Sequence, residues 1–434
     1  RTTGVLYVLD EPSIGLHPSN IIGLCGVMDD LIADGNSVIL VDHDTQILSK
    51  SDWMIEMGPE AGSNGGTVIA QGTLSDIENN EYSRIGPYLS GRSSIKVREQ
   101  IKSSDIFSEG KIRMETSAIH TVRPLSIEIP KGRLTVVTGV SGSGKTTMVL
   151  ESLIPALQAR IAGRDLPDHV KSMEADGIRQ VKLIDASPIG INVRSTVATY
   201  ANVHDELRKV FAKTPDAKRH GYKDGDFSYN TGKLRCPTCD GTGVISLDVQ
   251  FLPDVDIACP DCRGSRYSRA AGSIRRENAS GEFHSLPELM GMDVGSALDA
   301  CSDLRLISQR LRVLRDLGLG YLTLGEETPS LSGGEAQRLK LASEMGRGQS
   351  DSVFDEPTIG LHPSDVQTLL KVFQSLIDHG ATVIVIEHDL DVIRNADYII
   401  DMGPGGGSEG GRIVATGSPD QIRESKDSLT GRFL

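Results

Sequence analysis

An α/β fold with largely parallel sheets, present in duplicate, is the class that this sequence predicts. Three observations predict it. The stretch "DEPSIGLHPS" at Asp10–Ser19 returns as "DEPTIGLHPS" at Asp355–Ser364, an offset of 345 residues. Apolar runs of strand length alternate with segments of helix length. A glycine-rich loop, "GVSGSGKT", joins one such run, "LTVVTG", to the helix-like "TMVLESLIPAL". The offset holds without a gap from "VILVDHD" against "VIVIEHD" to "SRIGPYL" against "SLTGRFL", which ends at Leu434. A period of that size is far outside the 20–50 residues of solenoid repeats and reads as a duplicated half-domain.

Composition sets the bounds. A 434-residue chain has a length prior of two to four domains, and 38% hydrophobic content suffices for real cores. No apolar run reaches the ~18 residues of a membrane span, and no signal-peptide pattern opens the chain, so a cytoplasmic protein is expected. A net charge of −14 excludes a uniformly basic nucleic-acid-binding surface and leaves room only for a local one. Six cysteines without export signals read as metal ligands or core residues rather than disulfides.

The elements follow in order. Residues 1–92 hold the first copy, where "GVLYVLDEP" is a buried strand ending in Asp10 and Glu11. In that arrangement Asp holds Mg²⁺ and Glu orients the attacking water. A second strand ends at His43, in the loop where open α/β sheets bind ligands. The polar stretch 93–111 reads as a linker.

Residues 112–204 form the lobe of the glycine loop, Gly139, Ser141, Gly142, Gly144, Lys145, Thr146 and Thr147. The glycines let backbone N–H groups wrap phosphates, Lys145 reaches the β and γ oxygens of ATP, and the Thr146 hydroxyl can hold Mg²⁺. Within 205–284, Cys236, Cys239, Cys259 and Cys262 have the C-x2-C-x19-C-x2-C spacing of a four-thiolate zinc site that staples a loop-rich insertion. Cys25 and Cys301 read as packing residues. From Glu206 to Arg276 there are thirteen Lys and Arg against nine Asp and Glu, a local reversal of the chain's charge. Lys233, Arg235, Arg263, Arg266 and Arg269, with Tyr267 among them, are candidates for phosphate contact and base stacking, against the alternative of a solvated mixed-charge surface.

Residues 285–348 carry "LSGGEAQRLKLASEMG", in which Ser332, Gly333 and Gly334 open a helix and offer a second set of N–H donors to a γ-phosphate. Residues 349–434 close the chain with Asp355, Glu356 and His388, the second copies of Asp10, Glu11 and His43.

Taken in sequence order, the glycine loop, "LSGGEAQR", "DEP" and the later His resemble the ATP-binding cassette ATPases. The fold class is then a P-loop NTPase of that type, in tandem with its first domain truncated, bearing a zinc-binding insertion and a helical signature region. In such a pair the signature of one domain closes on nucleotide held by the other, so Ser332 would serve a first glycine loop lying before residue 1.

The cysteine-bearing "FLPDVDIACPDCRGSRYSR", with "GYKDGDFSYN" and "LGLGYLTLG", resembles the UvrA family, the damage-recognition ATPases of bacterial nucleotide excision repair. The likeness implies a homodimeric tandem ATPase that uses ATP, Mg²⁺ and Zn²⁺, binds damaged double-stranded DNA and loads UvrB. Ala186 stands in "IDASPIG" where the family usually has Gln, and Ser350, Asp351 and Ser352 stand where apolar strand residues are expected. Both departures fall where they bear on the hydrolysis rate of the second site, full or reduced. "IDASPIGINVRSTVATY" also looks like class II members, some of them linked to drug resistance without UvrB. A drug-resistance ATPase acting on drug-bound DNA therefore stays open. A transporter or translation ATPase would not need the four cysteines.

Overall fold

In the computed structural model, residues 3–59, 65–95, 98–187, 189, 194–247, 255–345 and 351–434 are described. The chain divides into two compact units, one of residues 1–186 with 348–434 and one of residues 187–347.

The first unit is built on a six-stranded sheet. Its order is Arg412–Gly417, Tyr398–Gly403, Leu134–Gly139, Val383–Ile386, Asp351–Asp355 and Val181–Ile184, all parallel except the Arg412–Gly417 edge. Leu134–Gly139 and Val383–Ile386 are buried along their whole length, as near-continuous apolar runs in a parallel sheet should be. A three-stranded antiparallel sheet, Ser126–Pro130, Lys111–Thr116 and Val170–Glu174, packs its apolar side into the same core.

The strand leading to Asp355 forms despite its polar start. Asp351 accepts the Thr382 N–H at 2.8 Å, and Ser352 is buried in the ladder between its two parallel neighbours. A polar residue is tolerated there because the ladder and a local acceptor satisfy the backbone. Ser350 lies outside the described residues.

In the first copy the strands form two separate pairs, Leu6–Asp10 parallel to Ser37–Val41 and Met54–Gly58 antiparallel to Thr67–Gly72. Val8, Ile39 and Ile55 are more than half exposed, whereas their equivalents Val353, Ile384 and Ile400 are at most 2% exposed. The difference is the central strand. Leu134–Gly139 fills the position between the corresponding strands of the second copy, and none of the described residues fills it in the first.

Within the stretch 93–111, Arg98 is pinned to the first unit. Arg98 bonds Asp397 at 2.8 Å, the Asn395 carbonyl at 2.7 Å and Gln374 at 2.8 Å, with almost no side-chain exposure. Asp397 in turn accepts the N–H of Leu134, the first residue of the central strand.

The second unit is built around a large apolar core, with the buried thiols as a smaller cluster apart from it. Phe211, Phe227, Tyr229 and Tyr267 pack with Leu286, Leu311, Leu314 and Leu339. The segments 205–284 and 285–348, distinct in sequence character, therefore share their apolar interior. The helix Gly333–Glu344 begins at Ser332, whose hydroxyl accepts the Glu335 N–H while Glu335 accepts the Ser332 N–H, a reciprocal cap that satisfies two orphan donors. Cys301 is fully buried in this core, and Cys25 packs partly buried against Ile21, Met28 and Ile47 of the first unit.

Candidate functional site: a nucleotide site and a thiol cluster

The glycine loop runs from Gly139 into the helical segment Thr147–Ala162. Gly139 has φ of 133°, and a Cβ there would lie 2.0 Å from the Met402 carbonyl oxygen, so only glycine fits. Lys145 is buried, with its ammonium donating to the Gly139 and Val140 carbonyls at 2.9 and 3.1 Å. Burial pulls its pKa down to about 8, against the opposing charges of Glu356, Asp401 and Asp355. Ser141, Gly142 and Thr146 are exposed at the mouth of the loop, with Gly144 and Thr147 partly covered.

Opposite the loop, Asp355 and Glu356 follow the strand end. Burial, then the neighbouring charges of Glu387 and Asp355, push Glu356 up to about 7 even though Lys145 works the other way. Burial and Asp185 raise Asp355. His388 Nε2 lies 3.6 Å from Glu356, and its buried Nδ1 has no hydrogen-bond partner among the described residues. Burial, with Lys145 and His17 nearby, keeps this imidazole neutral, its pKa well below the ordinary value. An ammonium, two carboxylates and a neutral imidazole thus converge on a cradle of N–H donors, which suits a phosphate with a divalent cation.

The first copy repeats the pair, with His43 Nε2 3.6 Å from Glu11. It is more open, His43 being 41% exposed against 8% for His388. Asp10 is exposed beside it.

The loop of the first copy also reaches the second site. Ser141 donates to the Gly15 carbonyl at 3.0 Å, and the His17 ring stands edge-on to His388 at 6.1 Å. Motif reading passed over Gly15, His17 and Asp185. The repetition of "GLHPS" was the available signal for His17, whereas nothing in the sequence marks Asp185 beyond its place next to Ala186, which is half-buried.

In the second unit Ser332, Gly333 and Gly334 open their helix at the surface or half-buried. The four thiols of Cys236, Cys239, Cys259 and Cys262 lie with all sulfurs within 4.8 Å of one another, at 3.9 Å for Cys236–Cys259 and 3.7 Å for Cys239–Cys262. Tetrahedral zinc with bonds of ~2.3 Å sets its sulfurs about 3.8 Å apart, so the cluster fits that ion. The Gly243 N–H donates to Cys239 Sγ at 3.3 Å, the kind of outer bond that orients a thiolate. Gly241 makes the turn after the first knuckle, where a Cβ would lie 1.8 Å from the Tyr229 carbonyl oxygen.

The candidate DNA contacts separate into two groups. Arg263 and Arg269 are exposed, and Lys233 is 79% exposed although 3.8 Å from Asp226. Arg235 is partly exposed and paired with Asp240 at 2.9 Å. Arg266 and Tyr267 are corrections, because neither presents a free surface. Arg266 is 4% exposed, bonded to Glu327 at 2.8 Å and set over the Tyr229 ring. Tyr267 is 2% exposed, donates to the Phe227 carbonyl at 2.9 Å and accepts from His204 Nε2 at 2.7 Å. A ring so enclosed cannot stack on a base. Its packing comes from helices distant in sequence, which local charge does not reveal.

No family model matches the chain. It is 43% identical over 440 residues to "UvrABC system protein A" of Aquifex aeolicus, across 100% of this chain and 46% of that protein. It is 43% identical over 438 residues to the protein of that name from Thermus thermophilus, across 100% of this chain and 45% of that one. Among solved structures, UvrA2 from Deinococcus radiodurans superposes with a TM-score of 0.88 at 37% identity, covering 100% of this chain and 52% of that one. An archaeal Pelota and ABCE1 model matches at TM-score 0.51 and 18% identity, over 97% of this chain and 54% of that one, a likeness of fold alone. The chain spans about half the length of the curated relatives that it matches.

Proposed function

Because this chain belongs to the UvrA family over its whole length, we propose that it works as part of a UvrA-like ATPase that binds DNA and recognises damage in nucleotide excision repair. Lys145 and the loop N–H groups bind the phosphates. Glu356 orients water and takes its proton, with neutral His388 beside it to hold the γ-phosphate. Thr146 and Asp355 would hold Mg²⁺, with Asp10 in the equivalent place in the first copy, and the cation would neutralise charge on the phosphates. Ser332, Gly333 and Gly334 would cap nucleotide held by another glycine loop, and the Glu11–His43 pair would serve that nucleotide. Cys236, Cys239, Cys259 and Cys262 would hold one zinc that braces the insertion.

The observation that carries the reading is the thiol cluster, because it stands between Lys145 and Ser332 in sequence, inside the nucleotide-binding frame. Lys233, Arg235, Arg263 and Arg269 would meet DNA phosphates on that insertion. The partners would be damaged duplex DNA, a second copy of the protein and UvrB. No helix among the described residues is long and apolar enough to cross a membrane.

A salt titration tests the DNA contacts. Replacing Lys233, Arg263 and Arg269 with Ala should weaken binding to every duplex and lower the slope of log affinity against log salt by about one unit per lost contact, at unchanged zinc content. An unaltered slope would remove the insertion from the DNA interface. The class II likeness of "IDASPIGINVRSTVATY" favours a second reading, an ATPase that acts on drug-bound DNA, which binding to drug-modified duplexes in the absence of UvrB would separate from the first.

A further inference from the structure

Duplication makes each copy a control for the other. The 345-residue offset pairs His17 with His362, Glu56 with Asp401, Ser83 with Ser428, Ile85 with Thr430 and Tyr88 with Phe433. Each copy's loop crosses to the other. His17 stands edge-on to Phe433 at 5.9 Å and His362 edge-on to Tyr88 at 5.8 Å. Gly15 lies against the Glu356 carboxylate, and Gly360 against that of Glu11.

The hydrogen bonds do not follow this symmetry. His17 Nε2 lies 3.0 Å from the Thr430 hydroxyl, which donates to Asp401 at 3.0 Å, and Asp401 also accepts from Ser428 at 2.5 Å. In the reciprocal contact Ile85 takes the place of Thr430, and the buried His362 Nε2 has no hydrogen-bond partner among the described residues. Glu56, the counterpart of Asp401, keeps the matching bond from the Ser83 hydroxyl but accepts the N–H groups of Arg84 and Ile85 where Asp401 takes the Thr430 hydroxyl.

Only one tautomer satisfies the His17 side. The single Thr430 proton goes to Asp401, so His17 Nε2 must be the donor. Nδ1 is then an acceptor, and it takes the Ser19 N–H at 3.2 Å and the Ser19 hydroxyl at 2.8 Å while capping the helix Pro18–Ala33. A ring held at both nitrogens forms a fixed wall beside His388, whose Nε2 faces Glu356.

We propose that His17, supplied by the first copy, is a positioning residue for the Lys145 nucleotide site, tied by Thr430 and Asp401 so that His388 stays set beside Glu356. The Glu11–His43 pair receives no such tie from His362, so the two nucleotide sites are unequal in construction. The catalytic part of this claim rests on the reading of the site as an ATPase.

Nitrogen-15 NMR of the histidines reads the tie directly, without activity. In the unmodified chain His17 should show a single Nε2–H tautomer. Thr430→Val, which keeps the shape and removes the hydroxyl, should give a tautomer mixture and move the His388 resonances, in a chain that remains folded by circular dichroism. In ATP turnover the same variant should lose about five-fold in kcat, the worth of one neutral hydrogen bond, with KM for ATP unchanged. Thr430→Ser should restore both readouts, and Ile85→Val, the matched change on the other side, should alter neither. Unchanged His17 and His388 resonances, or parental kcat in Thr430→Val, would overturn the proposal. Turnover that survives Lys145→Ala would instead sink the ATPase reading, and the resonances would then decide the positioning claim by themselves.

Discussion

In the proposed reading Lys145 is the residue on which nucleotide binding turns, because its buried ammonium lies within the glycine loop that would wrap the β and γ phosphates. Lys145→Ala should abolish ATP binding at this site, as measured by titration calorimetry. Glu356→Gln should leave binding intact and slow hydrolysis by about two orders of magnitude, since the base is lost while the charge-holding groups remain. A second prediction concerns acid. Burial depresses the pKa of His204 to about 3, below the 6.5 of an unfolded histidine. The unfolded chain therefore binds one more proton than the folded one between those values. Its contribution is complete above pH 6.5 and is lost progressively as pH falls towards 3. Denaturation midpoints measured between pH 7 and 4.5 should fall with acid, and His204→Gln should flatten that dependence by about one proton. Lys145, Asp355, Glu356 and His388 were legible in the sequence because their chemistry demands fixed residue types at fixed spacing. The burial of Tyr267 was not, because it depends on His204 and Phe227 arriving from other segments.

Among the elements, the thiol-bearing insertion and the Ser332 helix meet in one core, and Arg266 ties the first to Glu327, five residues before that helix's cap. Arg266 is the enclosed partner, packed over the Tyr229 ring, whereas Glu327 keeps 28% of its side chain exposed and can be solvated when the pair is broken. Arg266→Ala should therefore cost about 2 kcal/mol of stability, mostly from lost packing, seen in denaturant unfolding, and leave the salt slope of DNA binding untouched. Metal analysis should find about one zinc per chain, and Cys259→Ser should lose the ion together with the fold of the insertion. A chain that keeps that fold free of metal would contradict the zinc assignment. Cysteine spacing and glycine turns made this module legible in sequence. The strand at Asp351–Asp355 was harder to see, since its polar start is satisfied by Thr382 from a neighbouring loop. The pinning of Arg98 was likewise hidden, since its partners lie about three hundred positions away.

At the scale of the molecule, the repeat was visible at once, and it pairs Asp10, Glu11 and His43 with Asp355, Glu356 and His388. What it could not convey was the crossing of the two copies, in which the first copy's Gly15 and His17 stand at the second copy's Glu356 and His388. That exchange is a tertiary contact between residues more than three hundred positions apart, and no local pattern encodes it. The central claim is that nucleotide and damaged DNA are read by the same protein. Its most direct test is the affinity for matched damaged and undamaged duplexes, measured with the full-length protein with and without ATP, alongside the Lys145→Ala variant. The account predicts that ATP widens the preference for damaged duplex and that Lys145→Ala removes the widening while leaving basal DNA binding. Equal affinity for the two duplexes at every nucleotide condition would contradict it.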